Sequence, residues 1–405
     1  MPTRTITTLT ADHVASSTGP CGLGHEVRVS PYVVAEEGYC LAVRALDTKD
    51  VYNQVEGADG VFRPVVAGET IVGALGERQA LKGYSGRIPR HVAPGDTLHV
   101  QNMGGILGRV AAPHPDLGPA LRVEVLGAVL VGDPPRHARI QDTAIEPVET
   151  LARSAPLVFV SGTAMDTGKT YAAAALVRGL TARGLRVAAA KLTGAALQRD
   201  VRAMVAGGAV ASASFIEAGA VATTGRDMVP IAKGLIAHLN RPAGLAPPTP
   251  RLRSAPPASG GGDGEGGAAG GAAPDVLVLE LGDGVIGPYG VDQILQDMEL
   301  QRLTATHVLA AADLAGVWAC DQLFRSRYRA GIGVVVGPAT DTDVGCRYIQ
   351  TSLGIPAVNA RSDPDALTAL VADDVRDAKA WAASPSPLPQ FNGPRRPLVG
   401  KRDGG

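Results

Sequence analysis

The chain has 405 residues, with 38 Lys and Arg against 39 Asp and Glu, a formal net charge of -1, 45% hydrophobic and 19% charged residues. That length allows two or three domains with a full core, and the composition is that of a globular protein. No global basic field argues for nucleic acid or an anionic membrane as partner, no apolar run reaches ~18 residues, and the N-terminus has no signal-type apolar core; the expectation is a cytoplasmic protein.

Residues 1–150 carry short alternating or apolar runs broken by Gly, Pro and Asp: Glu26–Val34, Tyr39–Arg44, Thr70–Leu75, Thr97–Gln101 and Leu121–Val131. Such spacing predicts a smaller β-rich, barrel-like N-terminal domain, and Ala93-Pro94-Gly95-Asp96 predicts a turn before Thr97. The four cysteines, Cys21, Cys40, Cys320 and Cys346, form no CxxC pair, which argues against a disulfide framework or a zinc knuckle. Cys21, His25 and Glu26 read as polar residues of a turn, with metal ligation as the alternative. The glycines of Asn102-Met103-Gly104-Gly105-Ile106-Leu107-Gly108 precede no helix, so they predict backbone packed tightly against a barrel wall.

From residue 151 to 383 short apolar strands alternate with Ala/Leu-rich helical stretches. The strands expected are Leu157–Val160, Arg186–Lys191, Val276–Glu280, His307–Ala310 and Gly333–Val336; the helices are Thr170–Arg183, Asp313–Arg329 and Asp343–Leu353. This pattern predicts an α/β domain, a parallel sheet with flanking helices. Residues 241–274 are dominated by Gly, Pro, Ala and Ser and read as a flexible insertion; 384–405 read as a disordered tail.

The expected strand Leu157–Val160 runs into Ser161-Gly162-Thr163-Ala164-Met165-Asp166-Thr167-Gly168-Lys169-Thr170 and then a helix, the context of a phosphate-binding P-loop. Residues Gly162 through Tyr171 (Thr163, Ala164, Met165, Asp166, Thr167, Gly168, Lys169 and Thr170 between them) would surround the phosphates of ATP or GTP, ATP being favoured only by the resemblance given below. Lys169 would reach the β/γ-phosphates, and the Thr170 hydroxyl would bind Mg2+. Five residues separate Gly162 from Gly168, one more than the standard pattern. Asp166 is read as a turn-former, with a catalytic role as the alternative.

The spacing Gly-Thr-x-x-x-x-Gly-Lys-Thr resembles dethiobiotin synthetase and its relatives among the cobyrinate-amidase and MinD-type P-loop proteins. Arg186 to Gly194 looks like that family's second strand, which ends in a lysine near phosphates and substrate. Asp275 to Gly284 looks like its strand ending in Glu-Gly-x-Gly-Gly. The resemblance implies that Lys191 stabilises the transferring phosphate or binds an acidic substrate, that Glu280 and Asp200 hold Mg2+ with Thr170, and that Thr193, Gly194, Gly282, Asp283 and Gly284 face a small-molecule substrate. Asp283 competes with Glu280 for the metal; Glu217 and Asp313 are weaker candidates. The family's adenine-reading asparagine after a late strand has no counterpart in Val334-Val335-Val336-Gly337-Pro338. A second, partial resemblance is to the P-loop half of a family related to D-glutamate N-acetyltransferase.

These implications favour an Mg-ATP-dependent ligase or kinase-like enzyme that activates a carboxylate or carbamate. The alternatives are an acyltransferase holding coenzyme A phosphates and a nucleotide-switched assembly factor; a homodimer stays open. Residues 1–150 would supply substrate specificity or an oligomer contact.

Overall fold

A computed structural model describes residues 6–151, 153–242 and 272–382. Apart from its edges, the insertion expected at 241–274 lies outside the described residues, as does the tail expected at 384–405. The architecture is mixed α/β, a large β-rich region followed by a parallel sheet flanked by helices.

In the β-rich region five strands close a ring: β1 (Cys40–Ala45), β2 (Thr70–Leu75), β3 (Thr97–Val100), β4 (Ile106–Ala112) and β5 (Arg122–Val131). β5 pairs with β1, β1 with β2, β2 with β4, β4 with β3, and β3 returns to β5; only β2–β4 is parallel. Closure leaves this ring without a free edge. Alternation then sorts the side chains. Leu41 and Val43 of β1, Ile71 and Leu75 of β2 and Val123 and Val125 of β5 form one buried cluster. Cys40, Ala42, Val72, Ala74 and Ile106, one residue out of phase, belong to a second cluster shared with the parallel sheet. Both faces of β1 and β2 are thus buried, and the two halves share one apolar core.

The second sheet contains β6 (Leu157–Gly162), β7 (Val187–Thr193), β8 (Ala211–Ser214), β9 (Val276–Leu281), β10 (Thr304–Ala310) and β11 (Val334–Val336), in the order β8-β7-β9-β6-β10-β11. All its pairings are parallel. The main helices are α1 (Lys169–Ala182), α2 (Arg199–Ala206), α3 (Val229–Leu239), α4 (Leu314–Leu323) and α5 (Pro364–Ala382). Val158, Val160, Val276 and Val278 pack with α1 and α5 on one face. Leu157, Phe159, Leu277 and Leu279 pack with α3, α4 and the barrel on the other. Near-continuous apolar strands follow from this two-sided burial.

The expected strands and helices are present with shifted ends. The stretch expected as helix over Asp313–Arg329 is α4 followed by a π turn at Phe324–Tyr328, ended by Arg329 at φ 52. Strand β8 and helices α2, α3 and α5 had no counterpart among the expected elements. β8 reads Ala-Ser-Ala-Ser and carries no β-branched residue, so its strand character comes from pairing with β7. The glycines at 104 and 105 pack tightly, though not only against a barrel wall. A Cβ on Gly104 would lie 1.7 Å from the Ala196 carbonyl oxygen of the α/β half, and one on Gly105 would lie 2.2 Å from the Ala15 Cβ. Cys21 and Cys40, distant in sequence, bring their Sγ atoms to 3.7 Å as free, buried thiols. His25 is tied by Nδ1 to the Ala11 carbonyl. No helix among the described residues is long and apolar enough to cross a membrane.

His307 of β10 is buried between Phe159, stacked at 5.5 Å, and Phe324, edge-on at 5.3 Å. Burial pushes its pKa from 6.5 down to about 4. The unfolded chain therefore takes up the proton first, and stability contributed above pH 6.5 is lost as pH falls towards 4. On acidification from pH 7 to pH 5, His307→Phe is expected to lose about 2 kcal/mol less stability than the wild type. Urea midpoints at the two pH values test this; parallel losses would refute it.

Candidate functional site

The carboxyl ends of β6, β7 and β9, neighbours in the sheet, converge on the start of α1. Val160 pairs with Glu280 and Lys191 pairs with Glu280, so register alone brings the acid and the lysine level with the loop that leaves β6. Ligand sites in parallel sheets lie outside such strand ends. In the loop Asp166 and Gly168 take φ of 60 and 89. Gly162 is required where it stands: a Cβ would come within 2.6 Å of Thr167 Oγ1 and 2.8 Å of Lys169 Cδ. The loop is anchored by Thr163 N–H to the Ala310 carbonyl (3.0 Å) and by Ala312 N–H to Thr163 Oγ1 (3.1 Å). Lys169 folds back so that its ammonium donates to the Ala164 carbonyl at 2.6 Å.

Thr170 Oγ1 lies 2.9 Å from Glu280 Oε1 and 3.1 Å from Asp200 Oδ1, and Asp200 Oδ2 pairs with Lys191. All three charged groups are buried. Glu280 Oε2 is buried without a hydrogen-bond partner. Burial, reinforced by the charge of Asp200 and eased by Lys191, pushes the Glu280 pKa up to about 7. Burial also works to raise Asp200, but the Lys191 charge and hydrogen bond outweigh it and hold Asp200 below its ordinary value. Burial disfavours the Lys191 ammonium too, and there the charges of Asp200 and Glu280 prevail and raise it. Lys169 is lowered, chiefly by burial.

No three His, Cys, Asp or Glu side chains gather as a metal site among the described residues. A divalent cation at Thr170 would have Glu280, Asp200 and the hydroxyl, the other positions being left to phosphate and water. Mg2+ is bound in that way, through one or two carboxylates plus substrate phosphates, and the partnerless Glu280 oxygen fits it.

The residues expected to face substrate lie on two abutting loops. Thr193 Oγ1 donates to the Gly282 carbonyl at 3.0 Å, and Gly194 N–H donates to Thr223 Oγ1 at 3.0 Å. A Cβ on Gly282 would strike the Thr193 carbonyl oxygen at 2.2 Å, and one on Gly284 would lie 2.9 Å from the Thr163 carbonyl oxygen. Asp283, at φ 64, is raised chiefly by burial, against the charges of Lys191 and Arg78. Asp166 is exposed and pairs with Lys82 at 3.0 Å, outside the Thr170 cluster. Glu217 accepts from Ser214 and Gln198, and Asp313 caps α4 through Gly316 N–H. Both have structural partners.

Several residues escaped sequence reasoning. Glu56 of the β-rich half is fully buried and accepts from Gln198 N–H and Arg199 N–H, each at 2.7 Å, so it caps the helix that carries Asp200. An open groove beside the loop is lined by Gly168, Tyr171, Pro338, Asp341, Asn359 and Arg361 among others. The guanidinium of Arg361 stands over the Tyr171 ring at 5.7 Å. The segment around Ala357 runs parallel to β11, its Pro356 carbonyl accepting from Val335 N–H, and it delivers Asn359 beside that strand. Asn359 is thus placed beside β11 by pairing and not by sequence adjacency. It also clips its own loop, donating to Asp341 Oδ1 at 2.7 Å and accepting from Arg361 N–H at 2.9 Å.

No family model matches the chain, and no curated protein matches it.

Glu280 gives a direct test of the buried charge. Its folded pKa is raised, so its contribution to stability is greatest at low pH and is lost as pH rises from about 4.5 to about 7. Relative to the wild type, Glu280→Gln is expected to gain on the order of 2 kcal/mol between pH 5 and pH 8. A difference independent of pH, measured by denaturant unfolding, would contradict the burial of this carboxyl.

Proposed function

We propose that the loop from Gly162 to Thr170 is a P-loop, and that the protein is an Mg-ATP-dependent enzyme that transfers a phosphoryl group to a small carboxylate or carbamate. The observation that carries this reading is the Thr170 hydroxyl at a helix start, held between Glu280 and Asp200, with Glu280 Oε2 buried and unpartnered. The N–H groups at the start of α1, with no side-chain cap at Gly168, suit an anion. Mg2+ bound at Thr170, Glu280 and Asp200 would neutralise charge on the phosphates.

Lys169 exchanges the Ala164 carbonyl for phosphate oxygens, and Lys191, kept charged by Asp200 and Glu280, faces the transferring group. The acceptor oxygen bonds to the γ-phosphorus as the bond to the β–γ bridging oxygen breaks, and ADP leaves. Positioning and charge neutralisation supply most of such catalysis, so no dedicated acid–base residue is required. The groove between Tyr171, Pro338 and Asn359 is suited to the base, with the Tyr171 ring and Arg361 as flat surfaces. Asp283 and the loops at Gly194 and Gly284 border the acceptor side. A cytoplasmic setting, where ATP is supplied, accords with this reading.

Magnesium-dependent release of ADP from ATP, screened across small carboxylates and amines, is the test. Lys169→Ala is expected to lower the rate by about 10²-fold or more. ADP release that persists undiminished in that variant, or none with any acceptor, would overturn the proposal.

A further inference from the structure

A strap of the β-rich half, residues 77–85, crosses to the α/β half and is fastened there. Leu81 N–H donates to the Tyr289 hydroxyl at 3.2 Å, and Thr224 Oγ1 donates to the Gln79 carbonyl at 3.4 Å. Arg78 is buried at the strap's foot and donates to the Gln101 carbonyl at 2.6 Å. These ties present Lys82 at the phosphate loop, with its ammonium 3.0 Å from Asp166 Oδ2.

Both members of that pair are exposed, at 64% and 65%, so the pair itself stabilises the fold little. Its partner Asp166 is held at a left-handed φ within the loop. The other two lysines of the site already have partners: Lys191 is paired with Asp200, and Lys169 donates to the Ala164 carbonyl. A polyphosphate entering the loop repels the Asp166 carboxylate and attracts the Lys82 ammonium, whose flexible stem lets it change partner cheaply.

Resting on the P-loop reading above, we infer that Lys82, supplied by the β-rich half, is a catalytic residue that leaves Asp166 to bind the terminal phosphate of the bound triphosphate. The β-rich half then completes the reaction centre in cis. A diphosphate lacks the group Lys82 would hold, so the residue distinguishes substrate from product.

The experiment is calorimetry on the full chain with magnesium, using ADP and the slowly hydrolysed analogue ATPγS, on wild type, Lys82→Ala, Lys82→Arg and Lys169→Ala. Lys82→Ala is expected to weaken ATPγS by about 10- to 100-fold while ADP binding is held, with Lys82→Arg recovering much of the loss. Equal weakening of both ligands would show that Lys82 only holds the loop, and no change in either would also overturn the inference while leaving the P-loop reading standing. If Lys169→Ala keeps both ligands bound, the P-loop reading falls, and this inference with it.

Discussion

Two carboxylates and an ammonium are buried together where the sheet's strand ends meet the start of α1, and the Thr170 hydroxyl is clamped between the acids. Gathering such charges out of water is expensive unless each finds a partner. Lys191 and Asp200 satisfy each other, whereas Glu280 keeps one oxygen unpaired and a pKa near neutrality. The nucleotide site proposed above would account for a residual cost of this kind at a strand's carboxyl end.

The surrounding architecture serves to hold that cluster. β6, β7 and β9 are adjacent, so parallel register fixes Lys191 opposite Glu280 without help from any loop. Asp200 depends on more: it rides on α2, a short helix whose first N–H groups are taken by Glu56 from the β-rich half. The shared apolar core, running from Cys40 and Ala42 of the barrel to Phe159 and Leu279 of the sheet, keeps that reach constant. The β-rich half therefore supports Asp200 through Glu56, and its strap at 77–85 reaches the loop through Lys82.

Much of this was legible in the sequence because its causes are local. A strand, a glycine loop and Lys-Thr at a helix start follow one another directly, and Lys191 and Glu280 each close an apolar run. Asp200 was reachable only through resemblance, with a spacing that did not match. Glu56, Lys82 and Asn359 were not legible at all, for a common reason. Each arrives through pairing or packing between segments remote in sequence: Glu56 lies 142 positions from the N–H it caps, and Asn359 is delivered by a segment lying beside β11. Strand β8 was missed because alanine and serine carry no strand signal of their own. The closed barrel was foreseeable in kind, from short runs and turn residues, whereas the parallel β2–β4 pair that closes it was not.

On the function proposed above, Thr170, Glu280 and Asp200 form a magnesium site for a bound nucleotide. Calorimetric titration of the full chain with ATP and with acetyl-coenzyme A, each with and without magnesium, decides whether they do. Binding of ATP that requires magnesium is the expected result. ATP binding indifferent to magnesium, or binding of acetyl-coenzyme A alone, would contradict it and make the loop a cradle for another phosphate ligand.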